Sequence, residues 1–470
     1  MTANRPTPNV VLISIDTLRV DHLSCYGYGR ETTPNLDRLA SDGTRFDRAY
    51  GTAVWTPPAH ASMLTGLYPT QHGVVDENRL SAQIPTIAEM LQNAGYRTFG
   101  AVNNSQVGAL TGLDRGHQSF HEVWRGIKSK NVVERGVRFL VRRFQDWRGR
   151  NDHGAGRTNG IIKDWLDSSP AGEPFYMFLH YIEPHNPLAA PEPYRFRYAD
   201  RRASIDRSKI AAAADNPLVC LTDSLELTPV ELEYLVGLYD EEIAYTDFRV
   251  GEVVDFLKAA GRYDDTLIMV TADHGEHFAE HGLYSHVASL YEPIVHIPLI
   301  VKYPRDYSPA PVRADMVQHV DLLPTIAEAA GVEPPHAEQL LGISLIPREA
   351  ETGGHQAVFA EWEGRVPYFV QRRLKGKPAS EFARYREPFW MIRDHKYKYI
   401  LREESQDELY DLAQDPGEES NLIADPPADA THLKDRLTEW KSLAEAQAPD
   451  QDRYTLDPEV RKHLESLGYM

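Results

Sequence analysis

At 470 residues, with 42% hydrophobic and 25% charged residues, the chain is long enough for two or three domains and too ordinary in composition for disorder on the scale of a domain. Its formal net charge of −19, spread along the chain, argues against a nucleic-acid partner, which would call for a dominant basic surface. No run approaches the roughly 18 apolar residues of a membrane span. The apolar run before Asp16 is too short for a signal peptide. The expectation is a soluble, cytoplasmic protein without stable membrane insertion. Cys25 and Cys220, far apart in sequence, fit either a disulfide or two inert thiols, with a reducing compartment the simpler reading.

In chain order, NVVLISI (9–15) is a continuous apolar, β-branched run ending at an acid, as in a buried central strand. TTPNLDRLASDG (32–43) then reads as a helix with Thr33 as cap, Pro34 at the first position and Gly43 as stop. TIAEMLQNAG (86–95) reads as a helix, YRTFGAV (96–102) and PFYMFLHY (174–181) as strands, 230–260 as a helix, and DTLIMVTADHG (265–275) as a strand ending in an Asp-His pair. The basic stretch from Arg125 to Arg150 fits a solvated helix face. Alternating helices and apolar strands predict an α/β fold with a large, mainly parallel sheet covered on both faces. The texture changes near residue 350. AVFAEWE (357–363), EPFWMIRDHKYKYIL (387–401) and DELYDLAQDP (407–416) read as short strands and 430–447 as a helix. The expected division is a catalytic domain over 1–355 and a smaller C-terminal α+β subdomain with an antiparallel sheet over 356–470.

In such sheets ligands bind beyond the carboxyl ends of the strands. Asp16, the segment His180 to His185, and Asp273 with His274 all follow strand runs. Two carboxylates and an imidazole suit Zn²⁺ or Mn²⁺ ahead of Ca²⁺ or Mg²⁺, although Asp16 by itself is equally a turn residue and Asp273–His274 a hydrogen-bonded dyad. In TPPAHASMLTG, Thr56 precedes two prolines and a helix expected to start near Ala59, where amides and the helix dipole favour an anion. A metal-bound Thr56 hydroxyl can attack phosphorus or sulfur, and a plain N-cap threonine fits the same local pattern. His60, His185 and His286 lie where imidazoles would serve an anionic ester.

These residues resemble the sulfatase family of the alkaline phosphatase superfamily. The likeness runs through IDTLRVDHLSCYGYGRETTPNLDRLASDGTRFDRAY, TPPAHASMLTGLYPTQHGV, FLHYIEPHNPLAAP, VTADHGEHFAEHGLYSH, HVDLLPTIAEAAGV and ELYDLAQDPGEESNL. It implies Asp16, Asp273 and His274 as ligands of one divalent metal, with Thr56 as both ligand and nucleophile. It further implies His185 and His286 beside the transferred group or leaving oxygen, and Asn78 and Asn104 as substrate contacts. Sulfatases of the usual kind carry Cys or Ser in a C/S-x-P-x-R pattern, which is oxidised to formylglycine. Thr56-Pro57-Pro58-Ala59-His60 keeps the spacing but lacks both the oxidisable residue and the arginine. Thr17 replaces the second acid of the usual Asp-Asp pair.

The reading is therefore a metal-dependent hydrolase, or transferase, of phosphodiesters or phosphonate monoesters, without formylglycine and with Thr56 acting as itself. The alternatives are a sulfatase using threonine directly and a silent binding protein on the same fold. The substrate is a small anionic ester whose leaving group can be a sugar, lipid, nucleotide or aryl alcohol. Loops 105–150, 186–228 and 366–388 are expected to set specificity. An oligomer is compatible with the sequence.

Overall fold

The computed structural model describes residues 7–75, 78–125, 152–216, 219–222, 225–286, 288–348, 353–364, 383–449, 452–453 and 456–467. Residues 126–150 of the basic stretch and 366–382 of the last specificity loop lie outside that set.

The strands in chain order are β1 (Asn9–Ile15), β2 (Thr44–Tyr50), β3 (Asn78–Arg79), β4 (Arg97–Val102), β5 (Ser119–Glu122), β6 (Phe175–Tyr181), β7 (Thr266–Ala272), β8 (His277–Phe278), β9 (Tyr284–Ser285), β10 (His296–Lys302) and β11 (Val312–Gln318). Eight of them form one sheet in the order β11-β2-β10-β7-β1-β6-β4-β5. Only β10 runs against its neighbours, pairing antiparallel with both β2 and β7. β1 is buried along its whole length between parallel β6 and β7. That explains why its sequence is continuously apolar rather than alternating. Helices Pro34–Ser41, Ala155–Asp167 and Pro229–Ala259 form one packed group, and Thr56–Thr65, Ile87–Asn93 and Leu322–Ala330 another.

Two expectations change in detail. The helix expected near Ala59 begins at Thr56, with Trp55 as its extended N-cap. Pro57 and Pro58 thus fall inside the first turn, where the missing N–H costs no intrahelical bond. In the helix Pro34–Ser41, the Thr33 hydroxyl makes no cap bond and instead donates to Asp37 at 3.0 Å. The first amides, of Asn35 and Leu36, donate to Asp247 of the long helix at 3.0 and 2.8 Å.

A second sheet follows, all antiparallel: β12 (Val358–Trp362), β13 (Phe389–Arg393), β14 (Tyr397–Arg402) and β15 (Glu408–Asp411). The helix His432–Glu445 lies against it, with Trp440 stacked on Phe359 at 4.7 Å. A short β16 (Asp452–Arg453) returns to pair with β3. Trp362 and Phe389 of this sheet share one core with Tyr50 of the large one and with Trp55 and Ile182, and the helix Pro458–Ser466 adds Val460 and Leu464 to it. Cys25 and Cys220 are free thiols. Among the described residues no helix is long and apolar enough to cross a membrane.

Candidate active site

Strand register builds the site. Ile15 pairs with Ala272 and with Tyr181, so the residues just past these ends, Asp16 and Asp273, arrive side by side. Side chains alternate along a strand, which puts Asp16 on the same face as Ser14. That face is covered by the helix Thr56–Thr65, because Ser14 Oγ donates to His60 Nε2 at 2.9 Å.

Asp16, Asp273 and His274 offer one donor atom each, all within 4.8 Å of one another, and all three side chains are fully buried. Asp273 Oδ1 accepts from the amides of Thr17 (3.1 Å) and His274 (2.9 Å). His274 Nδ1 donates to the Gly275 carbonyl at 3.0 Å, which turns Nε2 toward the carboxylates, 3.2 Å from Asp273 Oδ2 and 4.0 Å from Asp16 Oδ1. Glycine is required at 275, since a Cβ there would lie 1.9 Å from the Pro293 carbonyl oxygen. Thr17 adopts a left-handed φ of 55°, an uncommon conformation for a β-branched residue. Its carbonyl is held by the Tyr239 hydroxyl at 2.5 Å.

Burial and the neighbouring Asp273 raise the pKa of Asp16. Burial also works against charge on Asp273 and His274, but their mutual attraction wins, holding Asp273 well below the usual carboxylate range and lifting His274 to about 9. A proton therefore sits among these groups in the metal-free chain, and metal uptake would displace it. Asp16 Oδ1, Asp273 Oδ2, His274 Nε2 and Thr56 Oγ1 are all buried without a hydrogen-bond partner. Buried polar atoms are normally paired, so the converging orphans of Asp16, Asp273 and His274 fit a divalent cation.

Thr56 is the first residue of its helix and fully buried. Its carbonyl accepts from His60 Nδ1 at 2.8 Å, and that nitrogen also lies 3.6 Å from Asp273 Oδ2. His60 is thus engaged on both ring nitrogens, and burial lowers its pKa to about 4. The neutral ring ties Thr56 to the metal-side strands. The early helix start also changes the anion argument. Pro57 and Pro58 have no N–H and the Ala59 amide bonds the Trp55 carbonyl at 3.4 Å, so charge stabilisation must come chiefly from side chains and the cation rather than from helix amides.

Two further histidines line the cluster. His286 stacks on His274 with ring centres 4.4 Å apart, lies 5.2 Å from His185, and bonds Glu276 through Nδ1 at 3.1 Å. Burial lowers His286 to about 3 and raises Glu276 to about 7. His185 donates from Nδ1 to the Asn186 carbonyl at 2.7 Å and is also lowered by burial. Asn104 donates to Asp16 Oδ2 at 3.2 Å, so it touches a prospective metal ligand directly. Asn78 sits in β3, fully buried, with neither amide atom hydrogen-bonded; no hydrogen bond joins it to the cluster.

Sequence reasoning missed Glu276 behind His286. Its position two residues past His274 in DHGEH was the available signal. It also missed the hold of the C-terminal region on the turn that leads into Thr56. Trp55 Nε1 donates to Glu363 at 2.9 Å and the Glu361 amide donates to the Thr52 carbonyl at 3.1 Å; local sequence carries no sign of either.

A mostly parallel sheet with a buried Asp-Asp-His group at its strand ends and a hydroxyl at the adjoining helix start defines a hydrolase of the alkaline phosphatase superfamily. The chain belongs to the sulfatase family: the model for that family, "Sulfatase", matches residues 8–332, and that for "N-sulphoglucosamine sulphohydrolase, C-terminal" matches 279–443. Members of this family bind a divalent metal, in keeping with the cluster. The chain is 28% identical over 449 residues to the uncharacterized sulfatase YidJ of Escherichia coli K12, covering 89% of this chain and 83% of that protein. It is 27% identical to the multifunctional alkaline phosphatase superfamily protein PehA of Trinickia caryophylli, covering 89% and 91%. Among solved structures, the phosphonate monoester hydrolase SpPMH from Silicibacter pomeroyi superposes with a TM-score of 0.69 at 26% identity, covering 94% of this chain and 96% of that one.

Proposed function

We propose that the protein hydrolyses phosphodiesters or phosphonate monoesters through a threonine ester, with Asp16, Asp273, His274 and Thr56 holding one divalent metal of the Mn²⁺ or Zn²⁺ kind. Bound there, the cation would lower the hydroxyl pKa of Thr56 and offset charge on the transferred group. The observation that carries this reading is Thr56 itself, a buried hydroxyl without a hydrogen-bond partner at a helix start tied through His60 to Asp273. The hydroxyl-bearing carbon of threonine also bears a methyl group, so oxidation there gives a ketone and never the aldehyde of formylglycine.

The chemistry then has two displacements. Thr56 Oγ1 attacks phosphorus and its proton leaves to solvent, the bond from phosphorus to the leaving oxygen breaks, and that oxygen takes a proton through His286 from Glu276, which bonds His286 Nδ1 and whose pKa is lifted to about 7, with His185 alongside. Water, or an acceptor alcohol in a transferase, next attacks the phosphothreonine, and Thr56 recovers its proton. His60, committed at both nitrogens, positions the nucleophile. Asn104 braces Asp16, and Asn78 has an unpaired amide to offer a substrate oxygen.

A second reading, sulfate ester hydrolysis by the same threonine, is favoured by the sulfatase relatives. An alkyl sulfate on Thr56 lacks the hemiacetal route by which a formylglycine hydrate expels sulfate, so turnover should stall. The test is one purified sample assayed on matched aryl phosphodiester, phosphonate monoester, phosphate monoester and sulfate, with Thr56→Ala as control. Phosphorus esters should turn over repeatedly and sulfate should stop near one equivalent. Sustained sulfate turnover above every phosphorus substrate, lost in the control, establishes the second reading instead. No turnover of any ester would leave the fold as a binding protein.

A further inference from the structure

His180 is the penultimate residue of β6, in register with Ser14 of β1. It is fully buried, and neither ring nitrogen has a hydrogen-bond partner. The other histidines of the site differ: His60, His185, His274 and His286 each bond a carbonyl or carboxyl. A buried imidazole left unpaired carries an uncompensated desolvation cost, so its surroundings should show what it is for.

Asp16 lies beside it. His180 Nε2 lies 3.4 Å from Asp16 Oδ2, the oxygen that also accepts from Asn104 at 3.2 Å. The other oxygen, Oδ1, has no hydrogen bond and is the one 4.0 Å from His274 Nε2. The two carboxylate oxygens are therefore differentiated, one braced by the protein and one facing the cluster. The His180 ring rests edge-on against His60, 5.0 Å between centres, and His60 is fixed at both nitrogens. Direct ligation by His180 does not fit, because among the described residues only Asp16, Asp273 and His274 present donor atoms mutually within 4.8 Å.

We propose that His180 is a positioning residue for the metal centre: it donates Nε2–H to Asp16 Oδ2 and, with Asn104, turns Oδ1 toward the cation. The 3.4 Å separation is at the outer limit of a hydrogen bond, and the ring gives up no other partner in closing it. The inference rests on the metal reading of the cluster but not on which ester is cleaved. Groups that orient metal ligands in this way are worth about 10–100-fold in metal affinity.

The experiment is Mn²⁺ and Zn²⁺ affinity of the metal-stripped full chain, measured by competition with a chromophoric chelator. The proteins are wild type, His180→Gln, His180→Phe and Asn104→Ala, with melting of each metal-free protein alongside. His180→Phe should weaken binding about 10–100-fold, and His180→Gln, whose amide N–H can replace Nε2–H, should stay within about threefold of wild type. Asn104→Ala should weaken binding as well, and less than additively when combined with His180→Phe, because the two brace one oxygen. Wild-type affinity in both His180→Phe and Asn104→Ala overturns the proposal. Equal losses in the Gln and Phe variants, with a changed visible spectrum of bound Co²⁺, overturn it in favour of direct ligation. Tight wild-type binding with an unaffected Phe variant sinks this inference alone, whereas a wild type that takes up neither metal sinks the underlying metal reading.

Discussion

Two sets of buried carboxylates, in different parts of the fold, meet the cost of burial in opposite ways. At the strand ends, Asp16 and Asp273 face His274 with oxygens that no protein donor satisfies. At the long helix, Glu242 on it and Glu183 beside it each spend one oxygen on a backbone amide, Glu183 on Ala155 at 3.4 Å and Glu242 on Ala189 at 2.7 Å. Burial, reinforced by Asp152, raises Glu183 to about 8, and burial, reinforced by Glu183 and Asp152, raises Glu242 well above the usual carboxylate value. The first set is arranged for a cation and the second for protons. Only the first brings three donor atoms together, among the described residues. Acidity alone does not mark a metal site; an imidazole and converging unpaired atoms do.

The sharpest contrast follows from removing one carboxylate of each kind. Asp273→Ala should lose the metal, read by elemental analysis against about one ion per wild-type chain, and activity should fall by more than the roughly 10²–10³-fold that loss of one electrostatic donor costs. Glu242→Gln should keep the metal. Equal metal content in the two variants would break the distinction. Next in size, His286→Ala should slow esters of poor leaving groups roughly 10²–10⁴-fold and good ones far less, the mark of a lost general acid. A leaving-group series of kcat/KM decides it, and equal losses across the series would assign His286 to positioning.

How much of this was readable in advance follows from which contacts are local. Strand-end alternation around Asp16 and Asp273 brought the cluster within reach of sequence reasoning, because register in a buried parallel sheet is set by the apolar runs themselves. The part of that sheet beyond β7 was not legible. TRFDRAY in β2 mixes charges into a half-buried strand, and HIPLIVK in β10 carries Pro298, accommodated where the pairing with β2 shifts register between Ile297 and Leu299. Thr56 was singled out, but its place at the first helical position was not foreseen, since two prolines fit an approach segment as well as a first turn. Contacts such as Trp55 with Glu363 join residues hundreds of positions apart and leave no periodic trace.

A third treatment of buried acids joins the two sheets. Lys398, fully buried in β14, lies 2.8 Å from both Glu292 and Glu418 and donates to the Leu290 carbonyl at 3.0 Å. Burial works against the Glu292 charge, but Lys398 holds its pKa at about 2, whereas burial lifts Glu418 to about 7. The lysine thus keeps one carboxylate charged. The same segment reaches the metal side, since the Gly275 amide donates to the Ile294 carbonyl at 2.8 Å. Lys398→Met should cost about 3–5 kcal/mol of stability, the usual penalty for stranding a buried partner, measured by urea unfolding. The loss should be larger than for Glu418→Gln, which removes the carboxyl that is already the more easily protonated.

The smallest effect tests the proton-holding pair. The Glu183 pKa is about 8 in the folded chain against an ordinary glutamate value of 4.5. Between those values the folded state holds a proton that the unfolded state has released, so stability falls as pH rises across that window and is greatest below it. Glu183→Gln keeps the shape and the neutral form. It should raise stability at pH 8 by about 1–3 kcal/mol, a fraction of what the full shift would allow because neighbouring groups share the proton. It should also reduce the slope of unfolding free energy between pH 5 and 8 without abolishing it, since Glu242 is shifted in the same direction. Adding Glu242→Gln should flatten the remainder. Unfolding curves at four or five pH values suffice, and a Glu183→Gln variant whose slope matches wild type would place the charge on Glu183 in the folded state and end the contrast with the strand-end aspartates.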